Sequence, residues 1–234
     1  NAMKPVILDP IHTAIDAGAL ESELHLHRAD KATVDRFRQL AAAAVDLARP
    51  KGVYKAVDCE VQGHDAIRVG GILLQSRVLA VHLAEVPRVF PFVATCGREV
   101  AEWAAARSDL LESYWLESVL DAVLQCAFDQ TRKHIAANHG LGRTAVMNPG
   151  SLDDWPIEAQ RSLFAILGDV EAAVGVRLRQ SLMMEPRHSV SGILFPTEVD
   201  FQTCMLCDRP NCPKRRAPHD PHLYARRYQI GVIP

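Results

Sequence analysis

NPGSLDDWP at 148–156, LFAILGDVEAAVGVRL at 163–178 and SLMMEPRHSVSGILF at 181–195 are the segments whose order decides the fold class. Pro149-Gly150 marks a loop, and the run 139–154 is rich in Gly, Asn and Asp. Pro156 suits the opening of a helix, which the apolar spacing carries to about Leu167. After Gly175, the runs 176–184 and 189–195 are β-rich and read as paired strands, with Pro186 in the connection.

Upstream, the spacing predicts the longest helix over 109–138. Leu111, Trp115, Val119 and Val123 form one row, and Leu116, Leu120, Leu124 and Phe128 form the next. Two adjacent rows make a wide apolar stripe, so one side is core and the other solvent. Cys126 lies beside that stripe and reads as a buried, inert thiol. A second helix spans 31–48, with Val34, Phe37, Leu40, Ala41, Ala44 and Val45 on one face. Asp30 caps its start, and Pro50 with Gly52 stops it. Alternation over 53–61 predicts a strand, and 67–72 a short strand around the Gly70-Gly71 turn. The run 75–85 reads as a short helix. The apolar run 89–95 is a buried strand that ends at Cys96-Gly97, with a helix following from Arg98. Helices and strands mix without a regular βαβ beat. The fold class is therefore α+β, a largely antiparallel sheet flanked by helices, one of them long.

A chain of 234 residues reads as one domain over 3–234, with a helical region at 3–50 and a Cys-rich, basic tail at 204–234. Asn1 and Ala2 before Met3 are set aside as an expression remnant. Apolar stretches are broken by charge well short of the ~18 residues a span needs, so no membrane partner is expected. Six cysteines without an export signal fit a reducing cytoplasm. A net charge of −2 gives no field for nucleic acid, and 6% aromatics give no base-stacking platform.

The tail carries CMLCDRPNC, with Cys204, Cys207 and Cys212. Two thiolates separated by two residues can bite one ion from a tight turn. The third reaches it if Pro210 and Asn211 turn the chain back. This is ligand spacing for zinc or an iron–sulfur cluster. A fourth ligand can come from His219, His222, Cys59 or Cys96, or the position can stay open.

Walker, dinucleotide-binding, H-E-x-x-H and G-x-S-x-G patterns are absent. His25 and His27 alternate on one strand-like face, either as a metal pair or as a solvated edge. Lys214, Arg215, Arg216, Arg226 and Arg227 make a basic group that reads as a solvated tail hugging the surface, or as a contact for a phosphate or an acidic partner.

The quoted segments together resemble the activation (reactivation) domain of cobalamin-dependent methionine synthase and its stand-alone bacterial relatives. The matching features are Pro149-Gly150, the helix after Pro156, Gly175, Met184-Glu185-Pro186 and Ser189-Val190-Ser191-Gly192, with FVATCGREV at 92–100 and LLESYWLESVLDAVLQCAFD at 110–129. The likeness runs over about 53–212. It implies the same fold and an accessory protein that binds a corrinoid protein, or cobalamin-dependent methyltransferase, to support reductive reactivation or methyl transfer. It also implies cobalamin carried by that partner and S-adenosylmethionine as ligand. The chain is too short for the homocysteine, folate and cobalamin modules, so complete catalytic machinery is not expected, and no catalytic residue is assigned. The residues the resemblance assigns to binding are Asn148, Pro149, Gly150, Ser151, Gln125, Met184 and Ser191, with Met183 beside Met184 as an adaptable contact. Three positions depart from the family. Val146 stands where an arginine holds the ligand, with Arg143 out of register. Ser151 replaces an aromatic residue. Gln125 replaces an acidic one, with Asp121 one turn away. Some stand-alone relatives also resemble this chain in the spacing of the three tail cysteines, and a redox cluster there would suit reduction of cobalt. The alternative is a zinc or iron–sulfur interaction module, or a small-molecule binding protein, on the same fold.

Overall fold

A computed structural model describes residues 4–212 and 215–229. Asn1, Ala2 and Lys214 lie outside them. The strands are β1 (Val6–Leu8), β2 (Lys51–Tyr54), β3 (Val57–Val61), β4 (Ala66–Val69), β5 (Ile72–Gln75), β6 (Arg88–Thr95), β7 (Thr144–Met147), β8 (Arg177–Leu178), β9 (Met184–Glu185) and β10 (Ser189–Pro196). The helices are α1 (Ala17–Glu23), α2 (Lys31–Leu47), α3 (Arg77–His82), α4 (Arg98–Ala105), α5 (Leu110–His139), α6 (Ala159–Leu167), α7 (Val170–Val174) and α8 (Leu223–Arg227).

The sheet is organised by β6, RVFPFVAT, in which every residue after Arg88 is buried. A continuous apolar run of this kind needs cover on both faces. Val89 and Val93 point into one core, with Ile193 and Phe195 of β10, Met147, Trp155 and residues of α3, α6 and α7. Phe90, Phe92 and Ala94 point into the other, with Leu194 and with Ala127, Phe128 and Ile135 of α5. A third cluster joins the first half of α5, through Trp115, Leu116, Val119 and Val123, to Phe37, Leu40 and Ala44 of α2 and Val100 of α4. One edge of β6 pairs with β10. The other is shared by β2 and β3, and all these pairings are antiparallel.

The helices stop and start as their caps dictate. Asp30 accepts from the Thr33 amide at 2.8 Å, and Asp109 from Leu111 and Glu112 at 2.9 and 3.0 Å. Gly140 closes α5 in the left-handed region. No helix among the described residues is long and apolar enough to cross a membrane.

Several expectations need correction. The strand expected over 53–61 is two strands, broken at Lys55-Ala56 opposite Pro91, whose nitrogen has no hydrogen to donate. Lys55 donates to the Pro91 carbonyl at 3.1 Å. The short strand around Gly70-Gly71 is a hairpin of β4 and β5. The run 176–184 does not pair with 189–195. It folds back on itself as the hairpin β8–β9, turning at Leu182 with φ 67°, because 179–181 is Arg-Gln-Ser and prefers water. That leaves β10 to pair with β6 and β7. β7 lies inside the stretch expected to be only loop, and α7 follows α6 after Gly168. His25 and His27 do not alternate on a strand. His25 has φ 55°, and Leu26–Arg28 is one 3-10 turn. The first fifty residues hold β1 as well as helices, and β1 pairs with β2. Cys126 is half-buried, its thiol 3.4 Å from the His12 carbonyl. The tail is more than a surface strap: Tyr228 is 1% exposed and belongs to the main core.

Candidate functional site

The Pro149-Gly150 loop is pinned at both ends. The Asn148 amide donates to the Ser191 carbonyl of β10 at 2.8 Å, Ser151 N–H to the Asn148 carbonyl at 3.1 Å, and Gly150 N–H to the Trp155 carbonyl at 2.8 Å. Gly150 has φ 79°, and a Cβ there would lie 3.0 Å from Ile157 Cδ1. Glycine is therefore required by both conformation and space. Gly192 is required by space alone: a Cβ would sit 2.6 Å from the Met147 carbonyl oxygen and 2.8 Å from Asn148 Nδ2. Asn148, Pro149, Gly150, Ser151 and Ser191 thus meet where β7 passes β10.

Asp154 fixes the far end of the loop. Its carboxylate accepts from Ser76 Oγ, from the Arg77 and Val78 amides at 3.1 and 3.0 Å, and from Tyr224 OH at 3.2 Å. It caps α3 and ties α8 to the loop. A second tie is deeper. His82 Nε2 and Tyr228 OH are 2.8 Å apart, and Phe201 packs on the imidazole at 4.0 Å between centroids. Burial, helped by the Arg227 charge, lowers the His82 pKa from 6.5 to about 4, while burial, opposed by that same charge, raises the Tyr228 pKa to about 12.

The Cys-rich tail closes over this loop. Thr203 Oγ1 donates to the Val146 carbonyl at 3.1 Å, and Arg216 to Gln125 Oε1 at 3.2 Å. Between loop and tail lies a groove of about 530 Å³, walled by Gly150 to Asp154 on one side and by Leu206, Cys207, Asp208, Arg209, His219 and Tyr224 on the other. That volume is ordinary for a small-molecule site. Asp154 is spent on its cap, and Asp220 on Arg226 at 2.5 Å. The side chains of Asp153, Asp208, Arg209 and His219 make no hydrogen bond or ion pair with the described residues, so the charges of Asp153, Asp208 and Arg209 stand exposed at the groove and uncommitted.

Of the residues assigned to binding from the sequence, only Gly150 and Ser151 line the groove; Asn148, Pro149, Ser191, Gln125 and Met184 are not among its walls. Gln125 is bound by Arg216, and Met184 is half-buried against the main core, while Met183 is exposed. Asp153, Asp208, Arg209 and Tyr224 were not singled out from the sequence, although the acidic pair beside the Pro-Gly loop and the Asp-Arg after the second tail cysteine are visible there. A second cleft, about 400 Å³, lies between α4, α5 and the 185–188 turn. Its cations are already paired: Arg177 with Glu185 at 2.5 Å, Arg187 with Glu117, and Arg98 with Glu171 at 3.2 Å.

Cys204, Cys207 and Cys212 are free and half-buried. Among the described residues, no group of three or more His, Cys, Asp and Glu side chains is arranged to hold a metal ion. The tri-thiolate set allowed by the spacing is thus not assembled among the described residues. Cys59 and Cys96 are core residues, with burial pushing their thiols up to about 11 and about 12.

No protein-family model matches the sequence, and no curated protein matches it. Among solved structures, the chain is similar to the MetH reactivation domain bound to AdoHcy. The TM-score is 0.64 at 15% identity, with 86% of this chain and 81% of that chain covered. At that identity the likeness is one of fold: this chain has an α+β architecture shared with the MetH reactivation domain.

Proposed function

We propose that this protein is an accessory protein that binds S-adenosylmethionine in the groove between the Pro149-Gly150 loop and the tail, and presents it to a corrinoid protein for reductive reactivation or methyl transfer. The observation that carries the reading is the set of uncommitted charges. S-adenosylmethionine carries an ammonium, a sulfonium and a carboxylate. Asp153 and Asp208 suit the two cations, Arg209 suits the carboxylate, and the loop backbone at Gly150 can approach the ligand closely. The fold shared with a domain crystallised with AdoHcy supports the same ligand class. The departures at Val146, Ser151 and Gln125 fit a ligand held mainly by the tail.

Calorimetric titration of the full chain with S-adenosylmethionine tests this. Micromolar binding is expected. Arg209→Gln and the double change Asp153→Asn/Asp208→Asn should each weaken it about tenfold, the loss of a charge-assisted contact of about 1.4 kcal/mol. AdoHcy, lacking the sulfonium charge, should depend less on the aspartates. No heat up to millimolar ligand, or unaltered affinity in both variants, would sink the reading. The corrinoid half is tested separately, by recovery of a methyl-cobalt spectrum from a reduced corrinoid protein only when this chain and S-adenosylmethionine are both present.

A further inference from the structure

Cys204 and Cys207 sit in one turn. Thr203–Met205 is a 3-10 turn, and Cys207 N–H donates to the Cys204 carbonyl at 3.4 Å. A turn closed by that bond keeps its first and fourth Cα within about 7 Å. A disulfide needs about 4.4–6.8 Å, so the pair can close with little backbone movement. The turn is held from outside the thiols. The Arg215 guanidinium donates to the carbonyls of Cys204 at 3.0 Å, Cys207 at 3.2 Å and Arg209 at 2.6 Å, and Arg215 N–H donates to the Cys212 carbonyl at 3.1 Å. Arg216 N–H points at Cys204 Sγ, 3.5 Å away. One side chain therefore fixes the cysteine loop whether or not anything bridges the sulfurs. Neither thiol is fully buried, unlike Cys59 at 7% and Cys96 at 0% exposure.

We infer that Cys204 and Cys207 form a reversible dithiol–disulfide couple that exchanges with small organic disulfides. One protein thiolate attacks a sulfur of the small disulfide and expels one small thiolate, leaving a mixed disulfide. The second protein thiolate attacks the protein sulfur of that bond, forms the Cys204–Cys207 bond and expels the second small thiolate. The two protein thiols lose two electrons and two protons, and the small disulfide becomes two thiols. Cys207 also lines the groove, yet the couple stands independently of the ligand assigned there. Arg215 acts as a positioning residue.

The test uses the full chain, reduced and kept with a chelator, in buffers of graded oxidised-to-reduced glutathione ratio, followed by alkylation, intact mass and peptide mapping. The expected result is loss of two alkylatable thiols without added glutathione mass, mapped to Cys204–Cys207, reversed by reduced glutathione and retained in Cys212→Ser. Cys207→Ser should instead carry one glutathione on Cys204. Unchanged thiol count, stable glutathione adducts on the native sequence, or a bond to Cys212 would overturn the couple. Arg215→Gln should need a ratio at least threefold more oxidising for half-conversion. An unchanged ratio would overturn the role given to Arg215.

Discussion

At Gly192 the spacing between two strands depends on a missing methyl group. The Met147 carbonyl oxygen and the Asn148 amide occupy the space a Cβ would need, and Asn148 must reach the Ser191 carbonyl at 2.8 Å to hold the Pro-Gly loop. Gly192→Ala should push β7 from β10, break that bond and cost about 1–3 kcal/mol, an overpacking penalty. Urea unfolding gives the stability, and S-adenosylmethionine titration of the still-folded variant should show weakened binding. Full stability in Gly192→Ala would mean that the strands do not pass this closely. Ser189-Val190-Ser191-Gly192 was legible in the sequence as a motif, as was Pro149-Gly150. What could not be read was the contact between them, because the 38 intervening residues, 151–188, carry no signal for which strand edge β10 uses. Asp153, Asp208 and Arg209 were hidden for a related reason: a charge becomes notable only when the fold leaves it without a partner.

Elements were legible where one period dominates. α2 and α5 follow their apolar spacing and their Asp30 and Asp109 caps to within a residue or so. Short elements were not, since β7, β8 and β9 have two to four residues each and take their structure from neighbours. α8 is of this kind, five residues held by its contacts. Its anchor predicts a pH dependence. The folded protein keeps His82 neutral, with a pKa of about 4 caused first by burial and then by the Arg227 charge, against 6.5 ordinarily. On acidification the unfolded chain takes the proton first, so His82 favours the fold fully above about pH 6.5, and this is lost progressively as pH falls toward 4. Allowing for its partial exposure, about 2 kcal/mol should disappear across that window. His82→Gln keeps a partner for Tyr228 OH and does not titrate, so its unfolding free energy should fall less between pH 6.5 and 4. His188 and His139 are also lowered by burial, which leaves a residual slope of the same sign. Equal slopes in both proteins would exclude His82 as the source.

Across the whole molecule, α5 decides whether the three clusters behave as one. Its first half packs Trp115, Leu116 and Val119 against α2 and α4, while its second half lays Ala127, Phe128 and Ile135 on the sheet. At thirty residues it is about 45 Å long and continuous. The opposite face of the same sheet carries the Trp155 cluster, which Tyr228 and Phe201 complete from the tail. Unfolding any one cluster therefore strips apolar surface from its neighbours. The chain should lose all three together, with the N-terminal helices and the Cys-rich tail inside one cooperative unit. Two tryptophan reporters check this. Trp103→Phe/Trp155→Phe leaves Trp115 to report the helical cluster. Trp103→Phe/Trp115→Phe leaves Trp155 to report the cluster beneath the groove. Within each variant the fluorescence and far-ultraviolet circular dichroism transitions should coincide in guanidinium. A Trp115 signal lost well before the dichroism would make the helical cluster a separate folding unit, and early loss of the Trp155 signal would make the tail and its groove one.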